Sequence, residues 1–387
     1  ILESDLPASA VARAGLSLLG MLGRESAEER PEDVQRIRAA AEASGDLALR
    51  ADALLLQCSS ELNRGRWRRE PFDEAVALAR LTADPDRIGW ALGHLGTLHR
   101  LDGDAAGAVR RLHEAVTVAG DHGPPDRRVT LLTELGLAQR AMFDLPGAIA
   151  SLDAALPYAA RAADPFVEQA LMHRLGGTLL YFGRVDPARL WLARALDVAE
   201  RAGMATPCFE IRGSLAYLEL ERGDLAAAEA GMGRCLADLR LGKVFHHVVL
   251  HAQYALLAAE KGDLLSAASL ASTALTWAER RPGAPPQSLA HLADGVWRAL
   301  ADDPGASAAF TRACDADPAG DQAAFALGYR ALVSDDGQQD LRELSRRSAT
   351  TGFPALRAFV DAVTGRTDDP GWLHARLAAK LRAARAR

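Results

Sequence analysis

Three histidines, His246, His247 and His251, form the densest imidazole cluster in the chain. His247 and His251 are four positions apart, so a helix would put both on one face, within reach of a single metal ion. No neighbouring cysteine or carboxylate completes a ligand set, and Lys243 would repel a cation. The cluster therefore reads as a helix start that lines a groove or faces solvent, and no metal is assigned to it. Gly242-Lys243-Val244 lacks the glycine spacing before it and the hydroxyl residue after it that a phosphate-cradling loop requires. H-E-x-x-H, G-x-S-x-G and G-x-G-x-x-G patterns are absent in usable context. No catalytic residue and no cofactor is assigned, and the chain is expected not to be an enzyme.

Composition narrows the field further. Alanine, leucine and arginine dominate while aromatics make up only 5% of the 387 residues, a balance that favours helix. The net charge of −6 argues against a surface built to hold nucleic-acid phosphates, although a local basic patch stays open. Cys58, Cys208, Cys235 and Cys314 are widely scattered, which suits reduced thiols in a cytoplasmic compartment better than a disulfide framework. No uninterrupted apolar run reaches the length of a membrane span, so no membrane partner is expected. Ala8 to Leu22 is apolar, but Arg13 interrupts it and no small-x-small cleavage site follows, so it reads as an amphipathic helix rather than a secretory signal. The chain begins with Ile1, which fits a piece of something larger.

The elements that would position a site follow a period. The turn residues Gly103, Phe143, Gly183, Gly223 and Gly262 are separated by 40, 40, 40 and 39 positions. A period of that size marks a repeat array. The units read LGTLHRLDGDAAGAVRRLHEAV from Leu95, LGLAQRAMFDLPGAIASLDAAL from Leu135 and LGGTLLYFGRVDPARLWLARAL from Leu175. LAYLELERGDLAAAEAGMGRCL from Leu215 and YALLAAEKGDLLSAASLASTAL from Tyr254 continue them. Each holds two amphipathic helices around a turn, and neither helix could bury its apolar face alone.

These lines resemble the tetratricopeptide repeat (TPR) family. The family's small residue in the first helix falls on Gly96, Gly136, Gly176, Ala216 and Ala255, and that of the second helix on Ala108, Ala148, Ala188, Ala228 and Ala267. A further small position follows at Ala115, Ala155, Ala195, Cys235 and Ala274. These sites are small because the two helices cross closely there. The resemblance covers Leu47 to Ala274 and implies an all-α fold, a right-handed superhelical solenoid of antiparallel TPR-like hairpins. The common unit of the family is about 34 residues and this one is about 40. Segments such as Ala119-Gly-Asp-His-Gly-Pro-Pro125 carry the excess. The longer unit is similar to the helical sensor arrays of maltose-regulator-type (STAND) proteins and of actinobacterial transcription regulators, and the Ala, Arg, Gly and Asp usage also looks actinobacterial.

At either end the pattern is extended by analogy. Residues 1–46 are expected to be N-terminal capping helices, 47–280 the array, and 281–387 divergent hairpins closed by a basic capping helix. Within these, helices are expected over Leu2 to Gly23, Glu32 to Ser44, Leu47 to Asn63, Ser288 to Leu300, Pro304 to Ala316, Asp321 to Val333, Asp340 to Ser348, Ala355 to Thr364 and Trp372 to Ala384. Arg281 to Pro286 is the strongest breaker and a candidate hinge. Arg64 to Pro71 (RGRWRREP) is a basic insertion where later units have a tight turn. It reads either as a partner-contacting loop carrying Arg66, Trp67, Arg68 and Arg69, or as a solvated turn with Trp67 folded onto its helix. In the last helix Leu373, Leu377 and Leu381 share a stripe, with Arg376, Lys380, Arg382, Arg385 and Arg387 around it. A basic grip on an acidic partner and a cap with an apolar inner face explain it equally.

In the family, the first helix of each hairpin lines the concave face. Carried over residue by residue, this selects His94, Thr97, Arg100, Thr133, Arg140, His173, Tyr217 and Gln253 as lining residues, with Glu134, Arg174, Tyr181, Glu221 and Glu260 beside them. Leu137, Gly177, Leu180, Leu220 and Leu256 fall on the same lining. Arg100, Arg140 and Arg174 suit a carboxylate or acidic peptide, and Tyr181 and Tyr217 offer an amphipathic wall. An ordinary polar inner face, its charges paired with one another, fits the same residues. The expected function is a non-catalytic module that receives a peptide, a protein segment or a small-molecule effector in its groove, as the sensor part of a bacterial signalling or transcription regulator. The other reading is an assembly scaffold or self-associating subunit, including a homo-oligomer.

Overall fold

The computed structural model describes residues 7–22, 31–64, 68–241, 244–280, 284–318, 320–334, 337–351, 353–367 and 371–386. Among these residues there are twenty α-helices, one short 3₁₀ turn and no strand. The chain forms two compact units, Ile1–Leu171 and Met172–Arg387. The first holds α1 (Ala8–Leu22), α2 (Pro31–Ser44), α3 (Leu47–Arg64), α4 (Glu70–Leu81), α5 (Pro85–Leu101), α6 (Ala105–Ala119), α7 (Pro125–Ala141) and α8 (Leu145–Ala162). Helix α9 (Pro165–Tyr181) carries the boundary. The second unit continues with α10 (Val185–Arg201), α11 (Ala205–Arg222), α12 (Leu225–Ala237), α13 (Val244–Lys261), α14 (Leu264–Glu279), α15 (Ala284–Leu300), α16 (Ala306–Ala316), α17 (Asp321–Val333), α18 (Gln338–Thr351), α19 (Pro354–Thr364) and α20 (Leu373–Arg385).

Glycine against leucine sets the packing of each hairpin. A Cβ on Gly96 would lie 2.6 Å from Leu112 Cγ, one on Gly136 2.9 Å from Leu152 Cγ, and one on Gly176 2.8 Å from Leu192 Cγ. Leu112, Leu152, Leu192 and Met232 recur at one position of the second helix, and all are fully buried. The large residue of one helix thus occupies the space left by the small residue of the other, which is how close helices reach interior density. The same device extends beyond the sequence-registered units, since a Cβ on Gly295 would meet Phe310 Cε1 at 2.4 Å and one on Gly328 would meet Leu344 Cδ2 of α18 at 2.9 Å as well as Phe359 Cε1 of α19 at 2.3 Å. Ala108, Ala148, Ala188, Ala228 and Ala267 are all fully buried, as the register requires.

Turn chemistry repeats with the packing. Gly103, Gly183, Gly223 and Gly262 have φ between 78° and 86°, where glycine carries no Cβ penalty. Phe143 adopts φ 60° at the equivalent place, at a cost that glycine would avoid. The next residue caps the second helix. Asp104, Asp144, Asp224 and Asp263 accept from the amides of Gly107, Gly147, Ala227 and Ser266. Arg184 keeps the same backbone angles without a side-chain cap, since a guanidinium has no acceptor; the amide that an aspartate would cap there belongs to Pro187, which has none.

Differences from the expected elements are local. Helix α4 begins at Glu70, inside the basic insertion, because Pro71 suits a first helical turn and is itself buried. Helix α15 starts at Ala284 and therefore takes in Pro285 and Pro286, and α18 runs over a longer span than expected. Residues 281–283 of the proposed hinge lie outside the described residues. Within each unit, first helices of successive hairpins touch, α3 with α5 and α5 with α7, then α11 with α13 and α13 with α15. No comparable contact joins second helices among the described residues. Each stack therefore presents its first helices on the inner side of its curve. No described helix is long and apolar enough to cross a membrane.

Two substitutions test this account. Gly136→Ala should destabilise the protein by about 1–3 kcal/mol in a urea titration, because overpacking against Leu152 and the Ala148 carbonyl outweighs the gain in helix propensity. Arg184→Asp alone should gain little, whereas combined with Pro187→Ala it should show a favourable coupling of about 1 kcal/mol in a double-mutant cycle.

Candidate functional site

In the first unit the inner faces of α3, α5 and α7 carry a polar network. Arg87 joins α5 to α3 through both oxygens of Asp52, at 2.7 and 3.1 Å. Arg127 joins α7 to α5 through Asp86 at 2.5 Å. Next along the same helices, His94 Nε2 lies 3.1 Å from Ser59 Oγ, and its ring meets Trp90 edge-on. Burial, reinforced by the Arg127 charge and opposed by Glu134, holds the His94 imidazole at a pKa of about 4, so it is neutral near pH 7. Arg100 donates from Nε and Nη2 to Glu134 Oε2 at 3.1 and 2.8 Å, and Thr97 donates to the same oxygen at 3.2 Å. The Thr133 hydroxyl oxygen is buried with no hydrogen-bond partner.

Six of the sequence-selected polar residues, His94, Thr97, Arg100, Thr133, Glu134 and Arg140, therefore lie on these facing helices. A ligand carboxylate at Arg100 would have to compete with Glu134. Such an exchange of partners is feasible because the pair is about one-quarter exposed on each side. Arg140 is half-buried near the end of α7. Ser59, Asp52 and Asp86 escape the family register, and the only sequence signal for them is their spacing from the arginine or histidine they meet, about 35 or 41 positions away.

The inner face of the second unit is arranged differently. His173 meets Ser214 Oγ at 2.8 Å, and its pKa is lowered to about 4 by burial and by the Arg174 charge. His246 Nε2 is 3.2 Å from Glu210 Oε1. Burial alone would raise the Glu210 carboxyl, but the His246 hydrogen bond and the charges of His246, His173 and Arg174 hold it below its usual value. Arg174 is exposed and Gln253 half-buried. His247 stacks on Trp277 at 4.0 Å, while His251 Nδ1 contacts the His247 carbonyl at 2.6 Å. The three histidines therefore face different partners, and among the described residues no three metal-ligating side chains converge.

Helix α20 meets α11, α13, α15 and α17, and its cations answer the helix ends they reach. Arg376 donates to the carbonyls of Leu220 (2.7 Å) and Glu221 (3.0 Å) at the end of α11, and to Glu260 at 3.1 Å. Lys380 donates to the Glu260 carbonyl at the end of α13. Arg382 reaches the Ala362 carbonyl of α19 at 3.1 Å, and Arg385 the Leu332 carbonyl of α17 at 2.7 Å. Positive charge at helix C-termini is favourable, and last-turn carbonyls lack the usual partner four residues on; those of Leu220 and Ala362 also accept cap bonds from the Gly223 and Gly365 amides. Leu373, Leu377 and Leu381 are buried beneath. The apolar stripe thus faces inward, whereas the basic side chains, expected to point outward on a cap, reach the carbonyls of neighbouring helices.

Tyr217 and Glu221 consequently sit beneath this segment. Tyr217 donates to Glu221, whose other oxygen accepts from the Leu373 amide at 3.2 Å. Burial pushes the Glu221 carboxyl up, against the pull of Tyr217, the Leu373 amide and Arg376. Tyr181 stacks on Phe353 with ring centroids 4.7 Å apart. In the basic insertion, Arg66 and Trp67 lie outside the described residues. Arg68 and Arg69 are exposed, and Arg69 pairs with Asp73 at 3.4 Å and approaches His99 at 3.3 Å.

No protein-family model and no curated protein sequence matches this chain. Solved structures do. A Rap protein complexed with competence and sporulation factor aligns with a TM-score of 0.65 at 11% identity, over 93% of this chain and 99% of that one. NprR in complex with its cognate peptide NprX aligns with a TM-score of 0.57 at 10% identity, over 87% and 99%. Aspartyl phosphate phosphatase F from Bacillus subtilis aligns with a TM-score of 0.58 at 12% identity, over 83% and 86%. At these identities the likeness establishes the fold, which is that of TPR-like helical-repeat proteins.

The neutral histidines give the second unit a defined acid sensitivity. Burial lowers His374 to about 3, with a further push from Arg376. Both His374 and His173 bind protons less readily in the folded than in the unfolded chain, so their contribution is fully present above pH of about 6.5 and declines as pH falls towards the folded values. In urea titrations His374→Gln should flatten the fall in stability below that pH by about 1.4 kcal/mol per pH unit. A slope unchanged from wild type would contradict the assignment.

Proposed function

We propose that the chain is a non-catalytic, peptide-receiving module of a bacterial signalling or transcription regulator working in the cytoplasm. The observation that carries this is the likeness, over 93% of the chain, to a Rap protein complexed with a signalling factor. The likeness to NprR with its cognate peptide adds to it. The polar inner face of the first unit supports the same reading. Its donors and acceptors belong to side chains on separate hairpins, so a peptide laid across α3, α5 and α7 would exchange Arg100–Glu134 and Ser59–His94 contacts for contacts of its own. The ligand-contacting set we assign in the first unit is His94, Thr97, Arg100, Thr133, Glu134 and Arg140; His173, Arg174 and Gln253 are assigned separately to the inner face of the second unit. A small-molecule effector using the same face is the alternative occupant.

Fluorescence polarisation of the full chain against a library of short peptides tests this reading. We expect at least one sequence family to bind, with Arg100→Ala and Glu134→Ala each changing the affinity by about tenfold (about 1.4 kcal/mol) while the thermal midpoint moves by only a few degrees. Failure of every peptide to bind, together with a stable oligomer by light scattering whose assembly is abolished by charge reversal at Arg100 and Arg140, would replace it with the self-associating scaffold.

A further inference from the structure

Among the second helices of the registered hairpins α12 is the shortest, with 13 residues against 15 to 18 in α6, α8, α10 and α14. It stops before the position at which Ala119, Ala159, Ala199 and Ala278 are buried in the other hairpins, and Leu239 takes that place in the 3₁₀ turn that follows. A cavity of about 390 Å³ lies at this end of the hairpin, within the size range of small-molecule sites. Phe209 and Arg212 of α11 line it, together with Arg234, Cys235 and Ala237 of α12 and the residue that caps that helix, Asp238.

Every polar group of this lining can be accounted for. Arg212 donates from Nη2 to Glu200 at 2.8 Å, in a pair about half exposed on each side, and a guanidinium retains further N–H groups after one such bond. Arg234 is exposed and forms no hydrogen bond or ion pair with a described residue. The Asp238 carboxylate likewise pairs with no described cation, and Asp238 meets Arg234 through its backbone amide alone. The Cys235 thiol is buried, and the charges of Arg234, Arg212 and Asp238 all act on it, which gathers the three around one point of the cavity. Burial outweighs them and pushes the thiol up, so it stays protonated and offers only a weak donor. Phe209 is buried with its ring edge-on to His246, and Ala237 is exposed.

Two guanidiniums, one carboxylate and an apolar wall are complementary to a molecule that carries a carboxylate, an ammonium group and an apolar body together. We propose that this cavity binds a free α-amino acid with an apolar side chain. Its carboxylate meets Arg234 with Arg212 beside it, its ammonium meets Asp238, and its side chain lies against Phe209 and Ala237. A plain carboxylate would leave Asp238 opposing it, and a plain amine would face two guanidiniums. Either end of a peptide supplies only one of the two charges, so the free amino acid is the better match. The inference does not rest on the peptide-receiving reading, whose assigned residues are not in this lining.

Calorimetric titration of the full chain with L-leucine, L-methionine and L-phenylalanine tests it, each compared with the acid that lacks its amino group and the amine that lacks its carboxylate. At least one amino acid should bind, about tenfold or more tightly than both of its analogues. Arg234→Gln should weaken that amino acid by about tenfold without weakening the amine, and the thermal midpoint should not move because the side chain is exposed and unpaired. Asp238→Asn should weaken the amino acid and leave the acid as it was. No binding by any of the three, an acid or amine that binds as tightly as its amino acid, or an unchanged amino-acid affinity in either variant would overturn the proposal.

Discussion

Where two helices cross with a glycine at their contact and the partner supplies a large side chain, that side chain fills the gap, and this pairing recurs along the molecule. Gly96 with Leu112, Gly136 with Leu152 and Gly176 with Leu192 repeat it almost unchanged. In the fourth unit Ala216 faces Gly231 of the second helix instead, and Gly295 with Phe310 carries the device onward. Because the pair fixes how the two helices of a hairpin meet, it also fixes which faces remain for the next hairpin. Within each unit the first helices then touch one another, and the polar residues between them are brought within hydrogen-bond distance across separations of 35 residues or more.

That constraint explains how much was legible beforehand. Turn glycines, capping aspartates and small crossing residues all obey rules confined to a few neighbouring positions, so a chain read in order discloses them. Arg184 is a useful exception, since its departure from aspartate makes sense only with Pro187 three residues on. Helix boundaries near proline were less legible, as at Glu70 and Ala284, because a proline both ends one segment and starts the next.

The site was legible only in its own register. His94, Thr97, Arg100 and Glu134 emerged because they stand at fixed offsets from Gly96 and Gly136. Ser59, the partner of His94, and Asp52, the partner of Arg87, belong to an irregular hairpin. In the second unit Tyr181, Tyr217 and Glu221 emerged for the same reason, whereas Phe353, Trp372 and His374, which cover them, are more than 130 residues away in sequence and follow no shared period. Nothing local announces that a basic terminal helix will turn inward. Its lysine and arginines look like a solvated face until the carbonyls they reach are known.

Helix α20 also bears on how such proteins change over evolutionary time. Stacks of interchangeable hairpins gain and lose units readily, because a new unit needs only its two neighbours. Here Arg376, Lys380, Arg382 and Arg385 are matched at once to the ends of α11, α13, α19 and α17. Deleting or duplicating one hairpin between α11 and α17 would displace some of those carbonyls by the width of a hairpin while leaving others in place, and a single rigid helix could not follow both. The terminal helix is therefore a gauge of copy number, holding this part of the array at a fixed count while hairpins outside its reach stay free to vary.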